Sequence, residues 1–171
     1  MEYIKKPKKI SNVTYDKINQ SVSQILVEIE EKGEAAALSY AKKFDNYDGA
    51  IGLTERDIRF SCGLVPDMLK KDIQFAYDNI RRFAEAQKST LLDFEYEVIP
   101  GLIAGQKNIP ISNVGCYIPG GRYSHIASAI MTITTAKVAG CKYIVACSPP
   151  KSEQGIPPSI IYAAHLAGAD K

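Results

Sequence analysis

Few groups of residues in this chain combine types and spacing that chemistry could use. The densest is Gly115-Cys116-Tyr117-Ile118-Pro119-Gly120-Gly121-Arg122, where a short apolar run ends in a Gly pair and a basic side chain. A ligand can approach glycine backbone closely, and at the carboxyl end of a parallel strand the diverging loops leave room for it. The segment matches neither Gly-x-Gly-x-x-Gly nor the Walker phosphate loop, and Pro-Gly-Gly is also a good turn, so the residues alone leave both readings open. Cys116 would be a nucleophile if ionised, but a strand cysteine with no histidine near it in sequence is more ordinarily a core side chain.

The two histidines, His125 and His165, fall on different predicted helices, with no Asp, Glu or Cys at a metal-ligand spacing from either. No metal site is therefore expected in this chain. Glu85 with Glu95, or Asp45 with Asp48, are residue types suited to acid and base work, but they read as solvated helix and turn carboxylates. The run Asp45 to Gly49 fails the EF-hand pattern, because Tyr47 and Gly49 stand where oxygen ligands are required.

The elements that must position these residues follow from periodicity. After a basic arm, Lys5, Lys6, Lys8 and Lys9 around Pro7, Thr14 offers a helix cap, and Ile18, Val22, Ile25 and Ile29 recur at helical spacing. Gly33 interrupts this helix, and a second one carrying Ala37, Leu38, Ala41 and Phe44 ends in the turn 45–49. Thr54 with Asp57 resembles a capping box, and Pro66 opens a long helix whose predicted stripe is Leu69, Ile73, Ala76, Ile80, Phe83 and Gln87. Near residue 92 the period changes from 3.6 to 2. Phe94, Tyr96 and Val98 alternate with Glu95 and Glu97, and Pro100-Gly101 turns the chain into a second extended run.

From Asn113 the order becomes strand, helix (126–139), strand, helix (160–167), with Gly140 and Gly168 as stops. The fold class expected is α/β: a helical N-terminal segment, a β-hairpin, then an incomplete Rossmann-like parallel α/β unit. The division expected is 1–92 and 93–171. Two parallel strands cannot bury both faces of a sheet, and the pattern stops at Ala169-Asp170-Lys171 where a third strand is due, so the chain reads as part of a longer protein.

Composition narrows the functional classes. The 171 residues are 46% hydrophobic and 23% charged, a globular composition. Twenty-one Lys+Arg against 19 Asp+Glu give +2, with a pI of about 8.3, so neither nucleic acid nor another polyanion is implied as a partner. No apolar run has the length of a membrane span and the first residues are not a secretory signal, which points to a cytoplasmic protein without membrane contact. Cys62, Cys116, Cys141 and Cys147 lack Cys-x-x-Cys spacing and are expected as reduced, mostly buried thiols.

Several ordered motifs resemble one family. Val114 to Arg122, then Met131, Ala136-Lys137-Val138-Ala139-Gly140 and Cys147-Ser148-Pro149-Pro150, look like the signature block of histidinol dehydrogenases. Lys32-Gly33-Glu34, Lys43-Phe44-Asp45, Asn79 to Phe83 with Gln87, and Gln106 with Pro110-Ile111 are similar to that family's upstream sequence. The resemblance implies a zinc- and NAD-dependent oxidoreductase, dimeric when full length. Such an enzyme takes a small primary alcohol through an aldehyde to a carboxylate, as in histidine biosynthesis.

By that resemblance Tyr117 contacts NAD, Pro119, Gly120 and Gly121 shape the same wall, and Pro149 lies near the nucleotide. The zinc ligands and the catalytic Glu-His pair belong to sequence beyond this chain, so no catalytic residue is expected in it and the chain alone is expected to be inactive. The stretch Tyr123 to Ala129 departs from the usual histidinol dehydrogenase pattern. It looks closer to the branch that oxidises dihydroxypropanesulfonate, where Arg122 and His125 could present donors to a sulfonate or simply be solvated loop residues. The competing reading is a non-catalytic module that keeps only a nucleotide-facing wall or a dimerisation surface.

Overall fold

A computed structural model describes residues 12–120, 123–151 and 155–171, with side chains from Tyr15 onward. The basic arm lies outside the described residues. The chain forms two compact units, one ending at Asp48 and one spanning Gly49–Lys171.

In the first unit α1 (Asn12–Lys32) packs on α2 (Glu34–Asp45). The helix already includes Thr14, so Thr14 is not its cap. Gly33, at φ +58, makes the break between the helices, a conformation that side chains with a Cβ resist. Asn46 closes α2 in the left-handed conformation, as the turn residues lead one to expect.

The second unit begins with α3 (Glu55–Gly63). Its capping box is complete: the Asp57 amide donates to Thr54 Oγ1 at 3.2 Å, and the Thr54 amide donates to Asp57 Oδ2 at 2.9 Å. α4 (Asp67–Lys88) starts after Pro66 and buries Ile73 and Ala84, with Leu69, Ala76 and Ile80 packed beside them. The predicted stripe fails at its end, because Phe83 is 66% exposed. Eleven residues after Ile73 at 100° per residue returns to the same face, whereas ten falls about 80° short, so Ala84 takes the inward position.

The hairpin pairs β1 (Phe94–Ile99) with β2 (Leu102–Gln106), and every residue of both strands is exposed. Its base is tied by Asp93 Oδ1, which accepts from the backbone and side-chain nitrogens of Asn108 at 2.8 and 2.9 Å.

β3 (Asn113–Tyr117) and β4 (Tyr143–Cys147) pair in parallel, joined by α5 (Ile126–Ala139) and followed by α6 (Pro158–Ala167). The first strand begins at Asn113 as expected, and the α/β class holds. α5 packs against α4, α6 and both strands, which is why it is apolar around most of its girth. Ile130 and Ile133 on α5 meet Ile118, Cys116, Ile144, Ile160 and Ala163 in one core, all at most 4% exposed.

Lys88 Nζ donates to the Val138 carbonyl at 2.7 Å and pins the end of α4 to the end of α5. Because α4 belongs to this core, the change of period near residue 92 is not where the compact units divide. Beyond α6, the Asp170 amide donates to Ile144 O at 2.8 Å and the Ala146 amide to Lys171 O at 2.7 Å, so these last residues run beside β4 in strand-like pairing. Among the described residues, no helix is long and apolar enough to cross a membrane.

Ile133 has no exposed surface and sits between helix and sheet. Ile133→Ala is expected to cost about 2–5 kcal/mol, read as a lower urea midpoint with an unchanged slope. The Thr54 hydroxyl and amide hold the Asp57 carboxyl below its ordinary value of 3.8. A depressed carboxyl stabilises fully above its unfolded value and loses this as pH falls through the folded one. The stability gap between the wild type and Thr54→Ala is therefore expected to be largest above pH 3.8 and to shrink below it, measured by denaturation at a series of pH values.

Candidate functional site

Parallel pairing puts the carboxyl ends of β3 and β4 side by side, with Tyr117 in register with Cys147 and the Ile118 amide donating to Cys147 O at 2.8 Å. The loops leaving those ends, 118–125 and 148–157, therefore start next to each other. Alternation along β3 turns Cys116 onto α5 and Tyr117 the other way, where it is 62% exposed. Tyr117 is thus a surface residue of this chain, not a core one.

The two loops meet at Gly120 and Pro149. A Cβ on Gly120 would come within 2.6 Å of Pro149 Cγ and 3.1 Å of its carbonyl oxygen, so a side chain there forces the loops apart. Pro119, exposed, leads into this contact, and Pro149 is half-buried in it. Of the residues assigned to a nucleotide wall, the structure brings Gly120 against Pro149 and places Tyr117 and Pro119 on the chain leading to that contact. Gly121 and Arg122 lie outside the described residues. His125 is exposed at the start of α5, where its carbonyl accepts from the amides of Ser128 and Ala129.

A cavity of about 40 Å³ opens between the loops, lined by Gly120, Ser124, Pro149, Lys151, Pro157 and Ile160 among others. Nothing in the order of residues singles out Ser124 or Lys151, because neither belongs to a spaced motif and they become neighbours only when the loops cross. A larger cavity, about 310 Å³, has an aliphatic wall that includes Ile51, Leu53, Ile118, Ile156 and Ile161. Ser148 also lines it, and the Ser148 hydroxyl is buried with no partner among the described residues.

The nucleophile reading of Cys116 fails on geometry. The residue is 4% exposed and burial pushes its thiol up, so it is a neutral core group. All four cysteines are free, but only Cys116 is fully buried; Cys147 is exposed because it ends β4 on the side away from α5, and Cys62 and Cys141 are half-buried. The expectation of mostly buried thiols is corrected accordingly. Among the described residues no three His, Cys, Asp or Glu side chains are grouped as a metal site would need, so these residues do not fit zinc.

The family profile described as histidinol dehydrogenase matches residues 8–171. The chain belongs to the histidinol dehydrogenase family. It is 57% identical over 170 residues to the sulfopropanediol 3-dehydrogenase of Ruegeria pomeroyi, covering 99% of this chain and 39% of that protein. A histidinol dehydrogenase homolog of Pelagibacter ubique is 48% identical over 98% of this chain and 40% of its own. The histidinol dehydrogenase of Methanosarcina mazei is 36% identical, covering 90% and 36%. The crystal structure of histidinol dehydrogenase from Elizabethkingia anophelis superimposes with a TM-score of 0.81 at 30% identity, over 99% of this chain and 37% of that one. The chain therefore has the histidinol dehydrogenase fold over about two fifths of the relatives' length, in a family whose named members are dehydrogenases.

The Gly120 contact yields a test. Gly120→Ala is expected to cost about 1–3 kcal/mol by overpacking against Pro149. Gly115→Ala, where a Cβ meets nothing within 4 Å, should leave the urea midpoint close to that of the parent.

Proposed function

We propose that this chain supplies the nucleotide-facing wall of an NAD-linked dehydrogenase that oxidises a small primary alcohol to a carboxylate in two steps. The observation that carries the reading is the meeting of Gly120 and Pro149 beneath two loops that leave the carboxyl ends of parallel strands, with Tyr117 exposed beside them. That edge of an open α/β sheet is where dinucleotides bind. NAD, when bound, supplies the hydride acceptor, once for alcohol to aldehyde and once for aldehyde to carboxylate.

The chain's own residues hold and orient the cofactor. Tyr117 offers a ring face for packing and a hydroxyl for one hydrogen bond, and Gly120, lacking a side chain, lets the Pro149 loop close against its own. No step is assigned to zinc, whose ligands are not grouped among these residues. The higher identity to the sulfopropanediol 3-dehydrogenase than to the histidinol dehydrogenase of Methanosarcina mazei supports a hydroxy-sulfonate over histidinol as the alcohol.

Titration of the chain with NAD tests the wall. Tyr117→Ala is expected to weaken binding about ten- to a hundredfold, roughly 1–3 kcal/mol, while the thermal midpoint stays in place because the ring is exposed. A lower midpoint with an unchanged dissociation constant would reassign Tyr117 to structure. With dihydroxypropanesulfonate or histidinol and NAD, the 171-residue chain alone is expected to form no NADH.

A further inference from the structure

We propose that the β1–β2 hairpin is a surface through which two copies of this chain associate, β2 of one pairing antiparallel with β2 of the other about a two-fold axis at Ala104. A two-stranded ribbon is marginal on its own in water and gains from further strands. Every residue of β1 and β2 is exposed, and among the described residues the outer edge of each strand is unpaired. The ribbon is nevertheless held in one register, by Asp93 at its base and by Glu97 at its turn, so an added strand meets an ordered edge.

Charge selects the edge. Pairing β1 with its own copy about Tyr96 would set Glu95 directly opposite Glu97 twice, like charges that destabilise an antiparallel pair. β2, Leu-Ile-Ala-Gly-Gln, has no charge to oppose its own image. Length then sets the register, because an axis at Ala104 pairs all five residues of β2: Ala104 with itself, Ile103 with Gly105 and Leu102 with Gln106. One residue further on, Lys107 of the second copy comes opposite Gly101, on the face that carries Glu97. The Gly101 amide donates to Glu97 Oε1 at 2.8 Å, so the ammonium is brought beside a carboxylate already fixed at the turn, and the two-fold makes this contact twice. An exposed pair of this kind adds little affinity and serves to hold the register. On the opposite face Tyr96 stands across from Ala104 and Phe94 across from Gln106. Ala104 meeting its image joins the two ribbons into one four-stranded sheet, with Tyr96 and Ala104 of one copy continuing into Ala104 and Tyr96 of the other.

Sedimentation of the 171-residue chain over a concentration series tests this. A reversible dimer of twice the 18.8 kDa chain mass is expected. Ala104 is exposed, so Ala104→Lys and Ala104→Glu should each keep the far-ultraviolet spectrum of the parent. Each should weaken dimerisation about tenfold, because like charges then meet at the axis. Mixed in equal amounts, the two variants should recover dimers, since the introduced lysine faces the introduced glutamate. A parent that stays monomeric at the highest concentration reached overturns the proposal. A dimer that Ala104→Lys leaves intact also overturns it, because the contact then lies on another face. Loss of dimers that the mixture does not recover removes the two-fold register at Ala104.

Discussion

The parallel pairing of β3 with β4, held by α5 on one face, is the constraint on which the rest depends. Ile144 is fully buried at the middle of that contact, and its amide and carbonyl on the other edge are bound by Asp170. Fully burying one such isoleucine is worth about 1.5–3 kcal/mol, and Ile130, Ile133 and Ile118 repeat it around the same point. Propensity does not favour α5, since isoleucine and threonine recur along it; packing on three sides overrides that cost. Once the strands are locked in register, their carboxyl ends and both loops fall at one edge with no further instruction.

The order of elements was legible because each carries a strong local pattern. The capping box of α3, the alternation of Phe94, Tyr96 and Val98, and the glycine stops after α5 and α6 all appear where the residues place them. Errors came where local pattern and geometry differ by a fraction of a turn. Size and approximate spacing favour Phe83 for the inward position, yet the helical angle selects Ala84. Thr14 has the chemistry of a cap, but the helix is already under way at that position.

The candidate site was legible in part for a different reason. Tyr117, Gly120 and Pro149 were reached through resemblance to a family, and the structure adds that Gly120 and Pro149 touch, which spacing cannot show across 29 residues of chain. Ser124 and Lys151 left no trace in the sequence because a serine and a lysine in polar loops are unremarkable until two backbones cross. Cys116 shows the reverse case: its position next to the glycines invited a chemical role, and the alternation of β3 turns it away from the site.

The hairpin has a consequence for how the chain behaves in solution. Among the described residues its two strands pair only with each other, and Phe94, Tyr96, Val98, Ile99, Leu102 and Ile103 are all more than half exposed. Such a ribbon offers unpaired amides and carbonyls along both outer edges and apolar surface for a partner to cover, the combination that recruits additional strands from other molecules. Glu95 and Glu97 on β1 are the gatekeepers present, and β2, Leu102–Gln106, carries no charge at all. Aggregation at high protein concentration would therefore begin at β2.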